Sequence, residues 1–407
     1  MRLAYILSTF PCRSEVFAAR EMAALGRQGF TVVVFAAARE DVPRGPEGPA
    51  RIIYRPRLFS GATLLGWLHV LTRHPVGLLR LLWLILILLR ECPGDARTVA
   101  ANLPAIGAFA RCFDREGLCH IHAYFLSWPA CIGLALAAVN GASLSMAAHA
   151  RDVFVESGAL RRKVARARFV VLCTQQALRS LQGRLPVRGQ EKLRLCHHGI
   201  ELPTPPPPTL TARAAQRDNA YTLACVGRLV PKKGHLDLVQ AFVRVAARWP
   251  GCRLILVGSG PEQERIRQFV QQAGLAERVE WRGWQSPEVC RQTIAAADLL
   301  VVPSVVGPDG DRDGIPNVIL EAFVARTPVV ATRLEGIAEA VTDHYNGVLV
   351  RPGDVAGMAQ AIEEVLGDTR LQRVLSGAAY RTAAERFDLG KNTQQLARWF
   401  EGLCATT

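Results

Sequence analysis

Short apolar runs, each followed by a polar or glycine-bearing loop and a stretch of helical period, recur along both halves of the chain. In the first half they fall at residues 3–7, 31–35, 119–124, 144–148, 169–173 and 193–196. In the second they fall at 222–226, 253–257, 279–281, 298–302, 328–331 and 347–350. Runs this apolar, with helices between them, suit strands buried on both faces of a parallel sheet, because each parallel connection must cross back over the sheet. The pattern predicts an α/β fold with two doubly wound sheets, and 407 residues are enough to bury two cores. Between the two series, residues 201–220 open with Glu201-Leu-Pro-Thr-Pro-Pro-Pro-Pro-Thr and lose hydrophobic periodicity. They predict a first domain over 1–205, a linker over 206–220 and a second domain over 221–385. Residues 386–407 read as a C-terminal amphipathic helix, with Phe387, Leu396, Trp399 and Phe400 on its apolar positions.

The most chemically marked stretch is Asp313-Gly-Ile-Pro-Asn-Val-Ile-Leu-Glu321, which follows the loop Pro303-Ser-Val-Val-Gly-Pro-Asp-Gly-Asp-Arg-Asp313. Pro316 and Asn317 suit the start of a helix, so one carboxylate precedes the helix and the other lies within it. Two such acceptors fit a polyhydroxylated ligand whose phosphates rest on nearby backbone N–H groups. The run Asp309-Gly-Asp311-Arg-Asp313-Gly314 imitates a calcium loop, but Leu320 stands where the bidentate Glu belongs and Pro316 breaks the geometry. Calcium is excluded on that ground.

Two other loops follow strands of the same series. Gly227-Arg-Leu-Val-Pro-Lys-Lys-Gly234 places Arg228 and Lys233 where two cations can hold a diphosphate. Gly258-Ser-Gly-Pro261 lets backbone approach a ligand closely. Alone each loop is weak; the ordered set is strong. In the first half, His149-Ala-Arg-Asp152 leaves the carboxyl end of a strand, where open α/β sheets bind ligands. Asp152 either orients His149 or caps the next helix. His120 and His122 share one face of a strand and are assigned structural roles.

Charge divides unevenly. Residues 1–200 hold 26 Lys and Arg against 12 Asp and Glu, whereas residues 201–407 hold 23 of each. A basic half suits nucleic acid, an anionic membrane or a phosphorylated substrate, and no nucleic-acid module signature supports the first. Residues 64–89 are the most apolar part, yet the longest unbroken run is 81–89, too short to span a bilayer. The segment reads equally as a core helix or as one lying in a membrane interface, with Arg57, Arg73, Arg80 and Arg90 flanking it. Eleven cysteines without metal spacing suggest reduced thiols in a cytoplasmic protein, and the N-terminus does not read as a signal peptide.

The set Arg228/Lys233, Gly258-Ser-Gly260-Pro261 and Asp313/Glu321 resembles the retaining nucleotide-sugar glycosyltransferases of family 4. Residues 10–15, 119–124, 148–152 and 198–200 resemble its exopolysaccharide and colanic-acid branch. The resemblance implies the GT-B fold, two facing Rossmann-like domains, with the C-terminal helix packing back toward the first. It implies that Arg228 and Lys233 bind the donor diphosphate and that Glu321 binds the nucleotide ribose. Asp313 and His149 would be the catalytic residues facing the transferred sugar. Gly258, Gly260, Pro261, Gly314, Ile315, Pro316 and Asn317 would line the nucleotide-sugar site, and Ser14, Glu15 and Asp152 the acceptor side. A UDP- or GDP-sugar would be the co-substrate, with no metal and no other cofactor. The acceptor would be a lipid-linked oligosaccharide or polysaccharide at the inner face of the cytoplasmic membrane. The family usually has Glu at the position of Asp313. Among enzymes the alternative is a nucleotide-sugar epimerase or hydrolase of the same fold, and the Asp313 departure motivates a second alternative, a non-catalytic donor-binding protein.

Overall fold

The computed structural model describes residues 1–13, 15–41, 49–155, 158–204 and 221–403. It divides into two compact units, Met1–Gly199 with Leu389–Thr407, and Ile200–Asp388.

Among the described residues, the first unit is built on β1 (Arg2–Thr9), β2 (Thr31–Ala38), β3 (Arg51–Tyr54), β4 (His120–Ala123), β5 (Ser143–Ala148), β6 (Val170–Leu172) and β7 (Leu193–Leu195). They form one sheet in the order β3-β2-β1-β4-β5-β6-β7, every pair parallel. β1 is buried on both faces over Leu3–Leu7, which explains its unbroken apolar run, and β4 is buried too although His120 and His122 alternate along it. α1 (Val16–Arg27) connects β1 to β2. Between β3 and β4 the chain inserts α2 (Gly61–Arg73), α3 (Pro75–Glu91), α4 (Pro93–Ala101) and α5 (Leu103–Arg115). Ser60 caps α2 by accepting from the Thr63 N–H, and a proline in the first turn opens each of the next three helices. α6 (Trp128–Asn140) and the short α7 (Ala150–Phe154) follow β4 and β5.

The segment 78–89 matches neither sequence reading in full. Leu81 and Leu88 are buried, but Leu79, Leu82, Trp83, Leu86 and Leu89 face outward from α3. Gly77 lies so close to α6 that a Cβ there would stand 2.1 Å from the Val139 carbonyl oxygen. One edge of α3 is therefore pressed into the core and the opposite edge is left bare.

The second unit comprises β8 (Thr222–Val226), β9 (Arg253–Val257), β10 (Val279–Gly283), β11 (Leu299–Val302), β12 (Val329–Thr332) and β13 (Val348–Val350). They form a parallel sheet in the order β10-β9-β8-β11-β12-β13. Helices His235–Arg248 and Val355–Gly367 cover one face, with Phe242 and Ile362 in its core. Asn317–Ala325 and Thr369–Arg386 cover the other, with Phe323 and Ala383 buried.

Two boundaries differ from the sequence expectation. The first unit ends at Gly199 rather than 205, and the expected linker 206–220 lies outside the described residues. The C-terminal helix starts at Leu389, not 386, and runs to Glu401. Phe387 is fully buried in the second unit, where its carbonyl accepts from the Ile200 N–H at 2.7 Å, so the apolar pattern carried one helix too far back. The helix from Leu389 belongs to the first unit, where the Phe400 ring packs 5.3 Å from His122 and 6.5 Å from Tyr5.

Gly77→Ala is expected to destabilise the chain by about 1–3 kcal/mol, because the added methyl overlaps backbone. Gly94→Ala, on α4 with nothing within 4 Å of its Cβ, should stay within about 0.5 kcal/mol of the parent. Urea denaturation of the two variants checks the contrast.

Candidate functional site

β8 and β11 are neighbours in the sheet, but their connections run to opposite sides, β8 onward to β9 and β11 onward to β12. The loops that leave their carboxyl ends therefore part, and such a switch point is where an open α/β sheet can hold a ligand. Three glycines draw the loops together here. A Cβ on Gly234 (φ 63°) would meet the Pro303 carbonyl oxygen at 1.9 Å, and one on Gly258 (φ 142°) would meet that of Gly227 at 1.9 Å. At Gly260 it would meet the Leu229 carbonyl oxygen at 2.3 Å. Backbone bonds complete the assembly: Leu229 donates to Ser259 at 3.0 Å and Val305 donates to Lys232 at 2.8 Å.

The side chains at this point form an alternating charge cluster. Lys233 Nζ donates to Asp313 Oδ2 at 2.8 Å, and Ser304 Oγ donates to the same oxygen at 2.6 Å. Lys232 Nζ lies 2.9 Å from Asp311 Oδ2 and 3.6 Å from Asp313 Oδ1. Burial alone would raise the Asp313 carboxyl, but the ammonium groups of Lys233 and Lys232, with the Lys233 and Ser304 hydrogen bonds, outweigh it and hold it below the usual range. Asp313 is thus a fixed anion. His235, which opens the next helix, is buried with neither ring nitrogen hydrogen-bonded within the structure. Burial and then Lys233 push it down to about 3, so it is neutral.

The sequence-predicted residues divide as follows. Lys233 and Asp313 touch, although one was expected on phosphate and the other on sugar. Arg228 stands exposed on the same loop as Lys233, and Pro261 is exposed on the neighbouring one. Gly314 and Ile315 lead from the Asp313 loop to Pro316, which caps the helix that Asn317 begins. Gly336 packs against the Gly314 backbone. Glu321 sits on that helix's second turn, and after burial its charge helps push the Cys290 thiol up to about 11. Lys232, Asp311, Ser304 and His235 were missed. A Lys-Lys pair before Gly234 and alternating acids in the next loop were the available signals.

In the first unit, His149 is the residue before α7. Of the two roles open to Asp152, the carboxylate takes the cap, accepting the His149 backbone N–H at 3.0 Å. Its distance from His149 Nδ1 is 3.8 Å, too long for a hydrogen bond. The His149 ring lies 4.4 Å from Phe125 and stacks on His198 at 5.2 Å with an interplanar angle of 8°. Glu15 immediately precedes α1, and Ser14 lies outside the described residues.

Below His149 is a second group the sequence reading did not find. Glu21, from α1, accepts from Tyr5 at 3.1 Å and from Tyr124 at 3.0 Å. A cavity of about 20 Å³, room for one water, is lined by Glu21, His122, Tyr124, His149, Cys196 and His198 among others. Burial raises Glu21 to about 7 despite the two tyrosine hydrogen bonds, which lower it. His120 and His122 are held neutral by burial, on Ser143 and Ser145.

Residues 220–368 match the family described as Glycosyl transferases group 1, and this part of the second unit is a domain of that family. The lipopolysaccharide core biosynthesis glycosyltransferase LpsE of Rhizobium meliloti is 36% identical over 169 residues, 42% of this chain and 46% of that protein. A GDP-mannose-dependent alpha-(1-6)-phosphatidylinositol monomannoside mannosyltransferase of Mycobacterium tuberculosis is 35% identical over 171 residues, 41% and 44% of the two chains. These matches span less than half the length of the curated relatives. Over the whole chain, the fold is that of Anabaena Alr3699/HepE, solved with UDP and glucose: TM-score 0.70, 19% identity, 98% and 99% covered. A sucrose-phosphate synthase from Thermosynechococcus elongatus gives 0.69 at 20% identity with full coverage of both. The chain thus has the GT-B fold, with two Rossmann-like parallel sheets.

A carboxyl raised on folding favours the folded state only while protonated. The Glu21 contribution is complete below the unfolded value of 4.5 and is lost as pH rises through about 7. Glu21→Gln is therefore expected to gain roughly 2–3 kcal/mol on the parent between pH 5 and pH 8. Urea titrations of both proteins at the two pH values measure the difference.

Proposed function

We propose that the chain is a retaining glycosyltransferase that moves a hexose from a UDP- or GDP-sugar to a lipid-linked oligosaccharide or polysaccharide precursor. The observation that carries this reading is the Lys233–Asp313 pair at the β8/β11 switch point, inside a glycosyl transferases group 1 domain. Lys233 turns from Asp313 to the donor diphosphate, and Arg228, exposed on the same loop, meets it too. Their charges stabilise the phosphate as the glycosidic bond breaks. Asp313, freed of one partner, accepts from sugar hydroxyls, and Glu321 takes the ribose. The acceptor hydroxyl attacks on the face the leaving group vacates and gives its proton to the departing phosphate. Configuration is then retained without a protein nucleophile. Asp311 and Asp313 are both neutralised by lysines, which argues against a divalent ion in this loop.

We place the enzyme at the inner face of the cytoplasmic membrane, docked by the first unit. Among the described residues no single helix is long and apolar enough to cross a membrane; α2 and α3 meet the length and composition only as a pair bent by 108°. Leu64 (70% exposed), Leu65, Leu68 and Leu71 line one side of α2, and Leu79 (66%), Leu82, Trp83 (64%), Leu86 and Leu89 line α3. Arg57, Arg73, Arg80 and Arg90 are exposed beside them. An apolar stripe bordered by arginines matches an anionic bilayer surface, each arginine contributing about 1 kcal/mol.

Two measurements test the reading. With EDTA present, purified chain and candidate lipid-linked acceptors should give product of unchanged anomeric configuration from one nucleotide sugar. Lys233→Ala should lose about 2–4 kcal/mol of transition-state stabilisation, and Glu321→Ala should mainly weaken nucleotide binding. Donor consumed without acceptor points to a hydrolase, an isomerised donor to an epimerase, and binding without turnover to a non-catalytic protein. In flotation, the chain should rise with anionic vesicles at low salt, and Leu82→Glu/Leu86→Glu should abolish this without unfolding. Equal recovery with neutral vesicles, or a dimer formed through this face instead, contradicts docking.

A further inference from the structure

At the elbow between α2 and α3, three metal-ligating side chains from separate elements converge on one point. His69 is on α2, His74 is the single residue joining α2 to α3, and Asp114 is on α5. The Nε2 atoms of His69 and His74 lie 2.7 and 2.6 Å from the same carboxylate oxygen, Asp114 Oδ2. The two rings are 5.6 Å apart and set edge to face at 61°, so neither blocks the other. All three donor atoms lie within 4.8 Å of one another. The other carboxylate oxygen, Oδ1, is held by the Asn140 amide at 2.8 Å, and that amide also donates to the Ala110 carbonyl at 3.2 Å. Asp114 is thus oriented from α6 by a group that would not itself ligate, the kind of outer support metal-binding carboxylates receive. The imidazoles are only partly buried and the carboxylate is exposed, which leaves an entry path and room for a water ligand.

We propose that His69, His74 and Asp114 form a zinc site that clamps the α2–α3 elbow to α5. Two imidazole nitrogens and one carboxylate oxygen suit a borderline divalent ion such as zinc, whereas calcium and magnesium want a set made mostly of oxygens. Around a tetrahedral zinc the N···O separations are about 3.3 Å, so the carboxylate oxygen has to move by well under 1 Å from its hydrogen-bonded position. Each ring then carries its proton on Nδ1 and presents Nε2 to the ion. The ion fixes the 108° bend between the two helices that carry the exposed leucines. The inference is independent of sugar transfer, since none of the three residues belongs to the loops around Asp313.

The test uses the full chain with any histidine purification tag removed, titrated with Co²⁺ and then Zn²⁺. One equivalent of Co²⁺ is expected, giving visible d–d absorption without the near-ultraviolet thiolate band that a cysteine site would produce, and Zn²⁺ should displace it. His69→Gln and His74→Gln each keep an N–H able to donate to Asp114 but remove a metal donor. They should retain the parent's circular dichroism, bind Zn²⁺ on the order of 100-fold more weakly, and lose the zinc-dependent rise in Tm. Thiolate absorption, no uptake at all, or uptake of equal strength in the parent and both folded variants overturns the proposal.

Discussion

Parallel strands cannot be joined by a tight turn, so every connection must leave the carboxyl end of one strand and return at the amino end of another. In a sheet ordered β10-β9-β8-β11-β12-β13 that rule leaves one place, beyond β8 and β11, where consecutive loops diverge. The charged cluster around Asp313 occupies that place. The glycines at 234, 258 and 260 allow three loops to meet there, because each packs where a Cβ would collide with a carbonyl. Sheet order sets where the site is; backbone without side chains sets how tightly it closes.

Much of this was legible in the sequence because buried parallel strands write themselves as short apolar runs. The strand series and the loops bearing Lys233, Gly258 and Asp313 were all placed by that pattern. Contacts between loops were not, because a linear string does not say that Lys233 and Asp313, 80 residues apart, share a proton contact. β3 was missed because its edge position leaves its residues only partly buried and its pattern mixed. The break at Phe387 was missed for the opposite reason. Its side chain is as apolar as its helical neighbours, yet it is buried in a different unit from Leu396 and Phe400.

The first unit shows how a core can accommodate many ionisable groups. His120 and His122 stay neutral on serine hydroxyls, and among the described residues Tyr5 and Tyr124 are the groups that hydrogen-bond Glu21. Cys131 and Cys196 are thiols that burial pushes up to about 12. Neutral forms remove the desolvation penalty that charged ones would bring. His149 stands at the rim of this group, its ring stacked on His198 and tilted against Phe125.

Two lysines and two aspartates in contact offset one another's charge in the loop cluster of the second unit. If Lys233 holds the donor diphosphate as proposed, an arriving phosphate would find no surplus positive field from Lys232 and Lys233. It would gain an ammonium only by taking it from a carboxylate, so its affinity would be an exchange energy, the new ion pair less the old one. A donor site of that kind would discriminate against simple anions, which offer too little to break the Lys233–Asp313 contact. It would also have a built-in competitor, Asp313, that reclaims the lysine as the phosphate departs and so favours release of a spent ligand over its retention.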